Sequence, residues 1–430
     1  MNLLYLAHRI PYPPDKGDKL RSFKQIEYLS RRHRVWCLCF LDDPSDGKAI
    51  APLRAHCVEL AVVPLNRPAA AARGGVSLLR GQSLTEGFYH HPSMVAVLRQ
   101  WSDRVAFDAV LALSSSMAGY ALRVSAPRRV LDLCDIDSEK WRAYGRFSRV
   151  PWRWLYELES RRLHRAERSA CTAFDAVLLI SEAEARLLSG NGAPERVHVV
   201  GNGVSLPTLG SLTCASAFEP AQTAKPCHIG FVGVMNYRPN VDAVCWFVRE
   251  IWPIVLGAYP NSLFRIVGRS PTRKVRRLAR AEGVRVVGEV QEVGQELRRF
   301  DVSVAPLRIA RGLQNKVLEA LAYAKPVVLT PAAAEGLQAR NGEHFLVAGG
   351  AAAFAERVIQ LLGDEALRGR IGQAGRAYVA AHHRWEEELS KLEDIVTRRC
   401  AFSLPHASHK PQLSGGQAAH SKQQPAVAKP

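Results

Sequence analysis

The stretch 304–330 reads Val-Ala-Pro-Leu-Arg-Ile-Ala-Arg-Gly-Leu-Gln-Asn-Lys-Val-Leu-Glu-Ala-Leu-Ala-Tyr-Ala-Lys-Pro-Val-Val-Leu-Thr, and it leaves few architectures open. It begins on the apolar end of a strand at 301–305 and passes through a loop holding Pro306, Arg308 and Gly312. A helix then starts near Gln314, and the chain leaves through Lys325 and Pro326 into a second strand. In a strand, loop, helix and strand unit, the loop and first helical turn lie at the carboxyl end of a parallel sheet, where open α/β sheets bind ligands. Free backbone N–H groups over 312–315 (Gly312, Leu313, Gln314 and Asn315) would face an anion. Gly312 lets the backbone come close, and Arg308 and Lys316 add positive charge. Glu319 follows Lys316 by three residues on the same helix face, which sets a carboxylate one turn behind a cationic mouth. A nucleotide has that polarity, with an anionic diphosphate and a ribose diol that a carboxylate can grip by two hydrogen bonds. On an ordinary helix the same residues would be a surface i,i+3 ion pair.

The stretch resembles the donor-site motif of the GT-B glycosyltransferases of family 4. That motif is usually two glutamates separated by seven residues, then an Ala-rich turn and Lys/Arg-Pro-Val-Val. Glu319, Ala320-Leu321-Ala322 and Lys325-Pro326-Val327-Val328 match its second half, while Arg311 stands where the first glutamate would contact the donor sugar. Members from exopolysaccharide loci carry Gly-x-x-x-Lys-x-x-Glu instead, matched here by Gly312, Lys316 and Glu319. Within them the chain looks like the sugar transferases that accompany the PEP-CTERM/exosortase system. The resemblance implies a GT-B α/β fold, two Rossmann-like doubly wound domains facing a central cleft. It also implies transfer of a sugar from a nucleotide diphosphate donor to a glycan or polyprenyl-diphosphate-linked acceptor, with retention at the anomeric carbon, in exopolysaccharide biosynthesis. The nucleotide sugar is then a substrate, and neither a cofactor nor a metal is expected.

At 430 residues, 47% of them hydrophobic, the chain has room for two domains with full cores. Fifty-eight Lys and Arg against 40 acids leave a formal charge of +18, which favours anionic partners: nucleic acid, acidic phospholipid or phosphorylated substrates. The nine cysteines have neither metal-ligand spacing nor a disulfide framework. No charged region precedes the first apolar run, and no window has the ~18 uninterrupted apolar residues of a membrane span. The expected location is the cytoplasm, with a peripheral place at the inner face of the plasma membrane open.

A first buried strand reads at 2–7, followed by a Pro/Gly loop over 11–19 and a helix at 18–31. Read alone, that loop is a plain turn or a phosphate-approach loop. It resembles the first loop of family 4 transferases, which reaches across the cleft, and so Gly17 and Asp18 become site candidates. Further strands at 35–40, 58–63, 106–113, 129–133 and 176–180 alternate with helical stretches, the signature of a doubly wound parallel sheet. After the strand at 129–133, Asp135 and Asp137 could be an Asp-x-Asp metal motif, or Asp137 or Ser138 an N-cap. The family places a catalytic or acceptor-orienting side chain at this position, so Asp135 joins Asp18 and Lys316 as a catalytic candidate. Between 140 and 168, nine basic residues interleave with Trp141, Tyr144, Phe147, Trp152, Trp154 and Tyr156. That pattern fits a membrane-surface segment, or aromatics as core with arginines as rim. No RNA or DNA motif accompanies it.

Asn202-Gly203-Val204 resembles the family's hinge into the interdomain cleft. The expected domains are 1–200 on the acceptor side, a linker at 201–226, a nucleotide-sugar domain at 227–381, a helix at 382–399 crossing back, and a disordered basic tail at 403–430. In the second domain, Gly233 ends a strand, and Arg238 could replace a phosphate-binding arginine that relatives carry beside that glycine. Further strands read at 263–267 and 284–287, and the backbone near Val290 is where relatives hold the nucleobase. Two other classes stay open: a sugar-nucleotide epimerase of GT-B shape, and a basic nucleic-acid-binding or scaffold protein.

Overall fold

The structure is a computed structural model that describes residues 1–189, 195–208 and 226–398. Most of the predicted linker, 209–225, and the predicted disordered tail, 403–430, lie outside the described residues. Among the described residues, thirteen parallel strands form two sheets. The first contains β1 (Asn2–Ala7), β2 (Arg34–Leu41), β3 (Glu59–Pro64), β4 (Ala109–Leu113), β5 (Arg128–Cys134), β6 (Ala176–Leu179) and β7 (Val197–Val199) in the order β3-β2-β1-β4-β5-β6-β7. The second contains β8 (His228–Val232), β9 (Leu263–Val267), β10 (Val284–Gly288), β11 (Val302–Ala305), β12 (Val327–Leu329) and β13 (Leu346–Val347) in the order β10-β9-β8-β11-β12-β13. The two-residue β13 carries too short an apolar run to read as a strand from sequence.

Helices cover both faces of each sheet, so the central strands read as unbroken apolar runs. In β1, Leu4 and Leu6 enter one apolar layer while Leu3, Tyr5 and Ala7 enter the other. The second layer is completed from the far end of the chain. Trp385, Leu389, Leu392 and Val396 of the last described helix, Trp385–Thr397, pack with Leu3 and Tyr5, and Glu393 of that helix bonds Arg32 at 2.7 Å. Gly203 makes this return possible, because a Cβ there would collide with the Trp385 backbone.

Both sheets change winding direction once, between β1 and β4 in the first and between β8 and β11 in the second. Side chains do not fill the crevice outside such a switch point, since the connections on either side diverge. Four loops therefore flank the ligand-sized gaps: those after β1 and β4, and those after β8 and β11.

Candidate active site where the two switch points meet

The loop after β11 leads into helix α8 (Asn315–Ala322), which α6 (Glu182–Ser189) and α7 (Arg238–Trp246) precede in the chain. Gly312 sits at φ +58°, in the left-handed region that glycine enters without steric cost. Gln314 holds the N-cap position without a side-chain cap, and the first bonded amide of the turn is that of Val317, at 2.8 Å from the Gln314 carbonyl. The amides of Asn315 and Lys316 point out of the helix with its positive dipole end, whereas the Gly312 amide, expected to face an anion, donates to the Glu184 carboxylate. Val317, Leu318 and Leu321 are buried, which orients Lys316 and Glu319 toward the gap. Burial pushes the Lys316 ammonium down to about 8 against the opposing pull of Glu319. The Lys316 ammonium lies 3.3 Å from the Gln314 amide oxygen and 5.8 Å from the Phe231 ring centre. Burial likewise pushes the Glu319 carboxyl up to about 7, against the pull of Lys316. Each group is thus short of counter-charge. Glu319 lines a cavity of about 250 Å³ together with Pro14, Asn315, Val293 and Gly294. Val290, three residues before this wall, packs on the second core.

The first sheet supplies the other wall. Helix α1 (Gly17–Leu29) starts directly beneath α8: a Cβ on Gly17 would stand 3.2 Å from the Asn315 side-chain nitrogen. Asp15 pairs with Arg269 of the second domain. Lys16, between Asp15 and Gly17, forms no ion pair among the described residues, and burial, then Arg9 and Arg269, lower its pKa. It is a cation of the loop that meets α8, and nothing in the sequence singled it out. Below it runs a buried polar chain. Arg21 bonds Asp132 of β5 at 2.8 Å and the Asn202 side chain at 2.9 Å, and Asn202 donates to Asn315 at 2.8 Å. Asn315 is thereby tied to the first sheet through three side chains.

Asp135 reaches the same place from β5. The β5–β6 register shifts between Asp132 and Cys134, and Cys134 takes φ +62°, a bulge that turns the next residue out of the strand line. The Asp135 carboxylate lies so close to Gly312 that a Cβ there would collide with it. One of its oxygens is buried without a hydrogen-bond partner. Burial and then the Glu184 carboxylate push Asp135 up to about 7, against Lys140.

Several expected roles are redistributed. Asp18 is not a free carboxylate. Burial would raise it, but Arg9 at 2.9 Å and His8 at 3.2 Å outweigh that and hold it far below the carboxylate range, so it fastens the loop. Arg308 turns from the anion seat to Asp242, bonding it at 2.6 and 2.9 Å, because that carboxylate offers a bidentate partner. Arg238 starts α7 (Arg238–Trp246) and reaches across to α4 (Asp137–Arg146), lying 5.1 Å from the Tyr144 ring centre and 3.1 Å from the Ser148 hydroxyl. It therefore does not replace the arginine expected beside Gly233. Gly233 is required by packing, since a Cβ would press on Asn240. Arg311, in the position of the family's first glutamate, is shared by Glu139 and Glu335, each at 3.4 Å. Neither Asp137 nor Ser138 caps α4: Ile136 holds the N-cap position without a side-chain cap, and the Ser138 hydroxyl donates to Glu167 at 2.5 Å. Among the described residues, no cluster of His, Cys, Asp and Glu could hold a metal ion.

Residues 226–364 match the family model described as glycosyl transferases group 1. Phosphatidyl-myo-inositol mannosyltransferase of Mycobacterium leprae is 30% identical over 146 residues, covering 33% of this chain and 39% of that protein. The matched stretch thus spans about two-fifths of this relative's length. Three solved structures extend the likeness to 92% of the chain. Anabaena HepE in complex with UDP has a TM-score of 0.64 at 14% identity over 99% of its length. Sucrose-phosphate synthase of Thermosynechococcus elongatus has a TM-score of 0.66 at 15% over 98%. WaaG, a glycosyltransferase involved in lipopolysaccharide biosynthesis, has a TM-score of 0.61 at 14% over 99%. At such identities the likeness establishes the fold, which is GT-B.

Proposed function

We propose that this chain, a GT-B protein whose second domain is a glycosyl transferases group 1 domain, moves a sugar from a nucleotide diphosphate donor to a glycan or lipid-linked acceptor, as in exopolysaccharide biosynthesis, with retention. The observation that carries this reading is the placement of Lys316 and Glu319. A cation short of an anion and a carboxylate short of donors sit one turn apart on α8, and the carboxylate lines a cavity walled by residues of both domains. A nucleoside diphosphate supplies both missing partners. The diphosphate lies against Lys316, Lys16 and the α8 amides, and the ribose hydroxyls donate to Glu319. Support for the donor class comes from HepE, which was solved with UDP and with UDP-glucose. A thermal-shift screen tests it: a nucleotide at 100 times its Kd stabilises a protein by about 2.7 kcal/mol. No shift with any nucleoside diphosphate or nucleotide sugar overturns the reading. Product anomer analysis by NMR tests retention, and acceptor-independent turnover of the donor would indicate an epimerase.

Glu319→Ala is expected to cost about 2–4 kcal/mol of donor binding, since each hydrogen bond to a charged group is worth roughly 1.5–3. Steady-state kinetics should show at least about a tenfold loss. Unchanged donor KM and kcat in the folded variant would remove Glu319 from the site.

The same two groups set a pH window. Bound diphosphate favours protonated Lys316, so above its free-site value of about 8 binding must take up a proton, and affinity falls as pH rises. Ribose hydroxyls favour ionised Glu319, so below about 7 binding must release a proton, and affinity falls as pH drops. UDP affinity should peak between the two, and Lys316→Ala should abolish the alkaline limb. We extend the reading to metal-independent turnover, because preorganised cations and amides can hold the leaving diphosphate. Chelator-resistant activity is the expected result.

The place of work is read from α4 and α5 (Trp152–Ala173). Trp154 is 68% exposed and Trp152 58%, with Phe147 and Val150 exposed beside them, so these side chains do not close the core. No described helix is long and apolar enough to cross a membrane. An exposed aromatic patch ringed by arginines suits an anionic membrane surface, where each basic residue contributes about 1 kcal/mol. Replacing Arg146, Arg149 and Arg153 with glutamate should release the protein from anionic vesicles in sedimentation without unfolding it. Undiminished binding would leave the patch without this role.

A further inference from the structure

A cavity of about 720 Å³ opens in the first domain away from the Lys316/Glu319 seat. It lies among α2 (Arg67–Leu79), α3 (Leu84–Tyr89), the turn after β4, and the second half of α5. Its volume is within the ~300–1,000 Å³ of small-ligand pockets. The depth is apolar, built from Leu131 and Leu133 of β5 and from Ala166, Ala170 and Phe174. Val76 and Leu122 line it while remaining 47% and 46% exposed, and Leu79 on the same helix as Val76 is 89% exposed. Val76 and Leu122 thus give the cavity an apolar lip.

The charged groups at this cavity leave a positive excess, three arginines against Glu86 and Glu167. Arg73, Arg80 and Arg123 all line it. Among the described residues none of the three is in an ion pair, and the Arg73 Nε is buried without a partner. The lining carboxylates are already engaged: Glu86 bonds the Ser83 amide at 3.1 Å, and Glu167 holds Ser138. At the sheet end the cavity reaches Ser115, whose hydroxyl donates to Asp137 at 3.1 Å, two residues from Asp135.

We infer that this cavity holds the hydrocarbon tail of a lipid acceptor whose phosphorylated head lies among Arg73, Arg80 and Arg123. The inference rests on the transferase reading for the word acceptor, while the binding itself does not. An apolar pocket alone would take any hydrophobe, and arginines alone any anion. Their juxtaposition, continuous with the strand end that carries Asp135, selects an anionic amphiphile. The tail enters between Val76 and Leu122, and the head is held where its attached sugar can reach the cleft.

Calorimetric titration of the full-length protein with farnesyl phosphate tests this, with farnesol, inorganic phosphate and UDP as separate titrants. Saturable binding of farnesyl phosphate is expected, unaffected by UDP, with inorganic phosphate at least roughly a hundredfold weaker. Ala166→Phe fills the cavity floor and should weaken farnesyl phosphate by about tenfold or more, the scale on which apolar pockets discriminate by size. Val76→Glu, at an exposed position that folding tolerates, should do the same should Ala166→Phe fail to fold. Arg80→Glu with Arg123→Glu should weaken farnesyl phosphate and spare farnesol. Absence of saturable binding, or equal binding by the wild type and both cavity variants, overturns the inference. Failure of UDP to bind would instead overturn the donor reading, and the two failures are read from separate titrations.

Discussion

Asp135→Asn is expected to lower kcat by about 10²-fold or more while UDP affinity stays within about twofold. The carboxylate sits against the Gly312 backbone with one buried oxygen free of any partner, so its unused acceptor capacity faces the loop that would cradle the donor. An acceptor hydroxyl arriving from the first domain can donate to it, and a positioned acid/base group typically contributes about 10²–10⁴. Burial, then Glu184, hold Asp135 up to about 7, so at lower pH it is protonated and cannot accept that hydrogen. Transfer by the wild type should therefore rise through about pH 7, and the asparagine variant should lose this limb. Asparagine matches the shape, so the fold is kept. A variant that transfers normally, or one that loses UDP affinity, would take Asp135 out of the acceptor role.

Lys316→Ala should lower kcat by about 10²–10³, or roughly 2.7–4 kcal/mol, the loss seen when one preorganised partner of a developing negative charge is removed. The diphosphate gains charge as the sugar departs, so Lys316 contributes more to the transition state than to the ground state, and kcat should suffer more than KM. Its ammonium, depressed to about 8 by burial, has the most to gain from that charge. Calorimetry separates the roles. UDP affinity should drop while uridine affinity barely moves, and equal weakening of uridine and UDP would mean that Lys316 does not contact phosphate.

Local pattern alone determined much of the architecture. The alternation of apolar runs with helical periodicity specified doubly wound parallel sheets, because a strand covered on both faces must be apolar throughout. The i,i+3 spacing put Lys316 and Glu319 on one face of α8, and a glycine at 312 suits φ +58°. These relations span a few residues and follow from the geometry of a single element.

Relations between distant residues were decided by tertiary structure. Arg21, Asp132, Asn202 and Asn315 form one buried chain from β5 to α8, yet nothing in the sequence around Arg21 marks it off from the other arginines. The loop that carries Lys16 meets α8 only because Gly17 packs under Asn315. Asp18, Arg238 and Arg308 had the chemistry for the site but pair elsewhere, since the fold sets a geometrically suitable partner beside each of them. Residue type and spacing thus determined what each group could do, while packing determined which groups were left unpaired and able to meet a ligand.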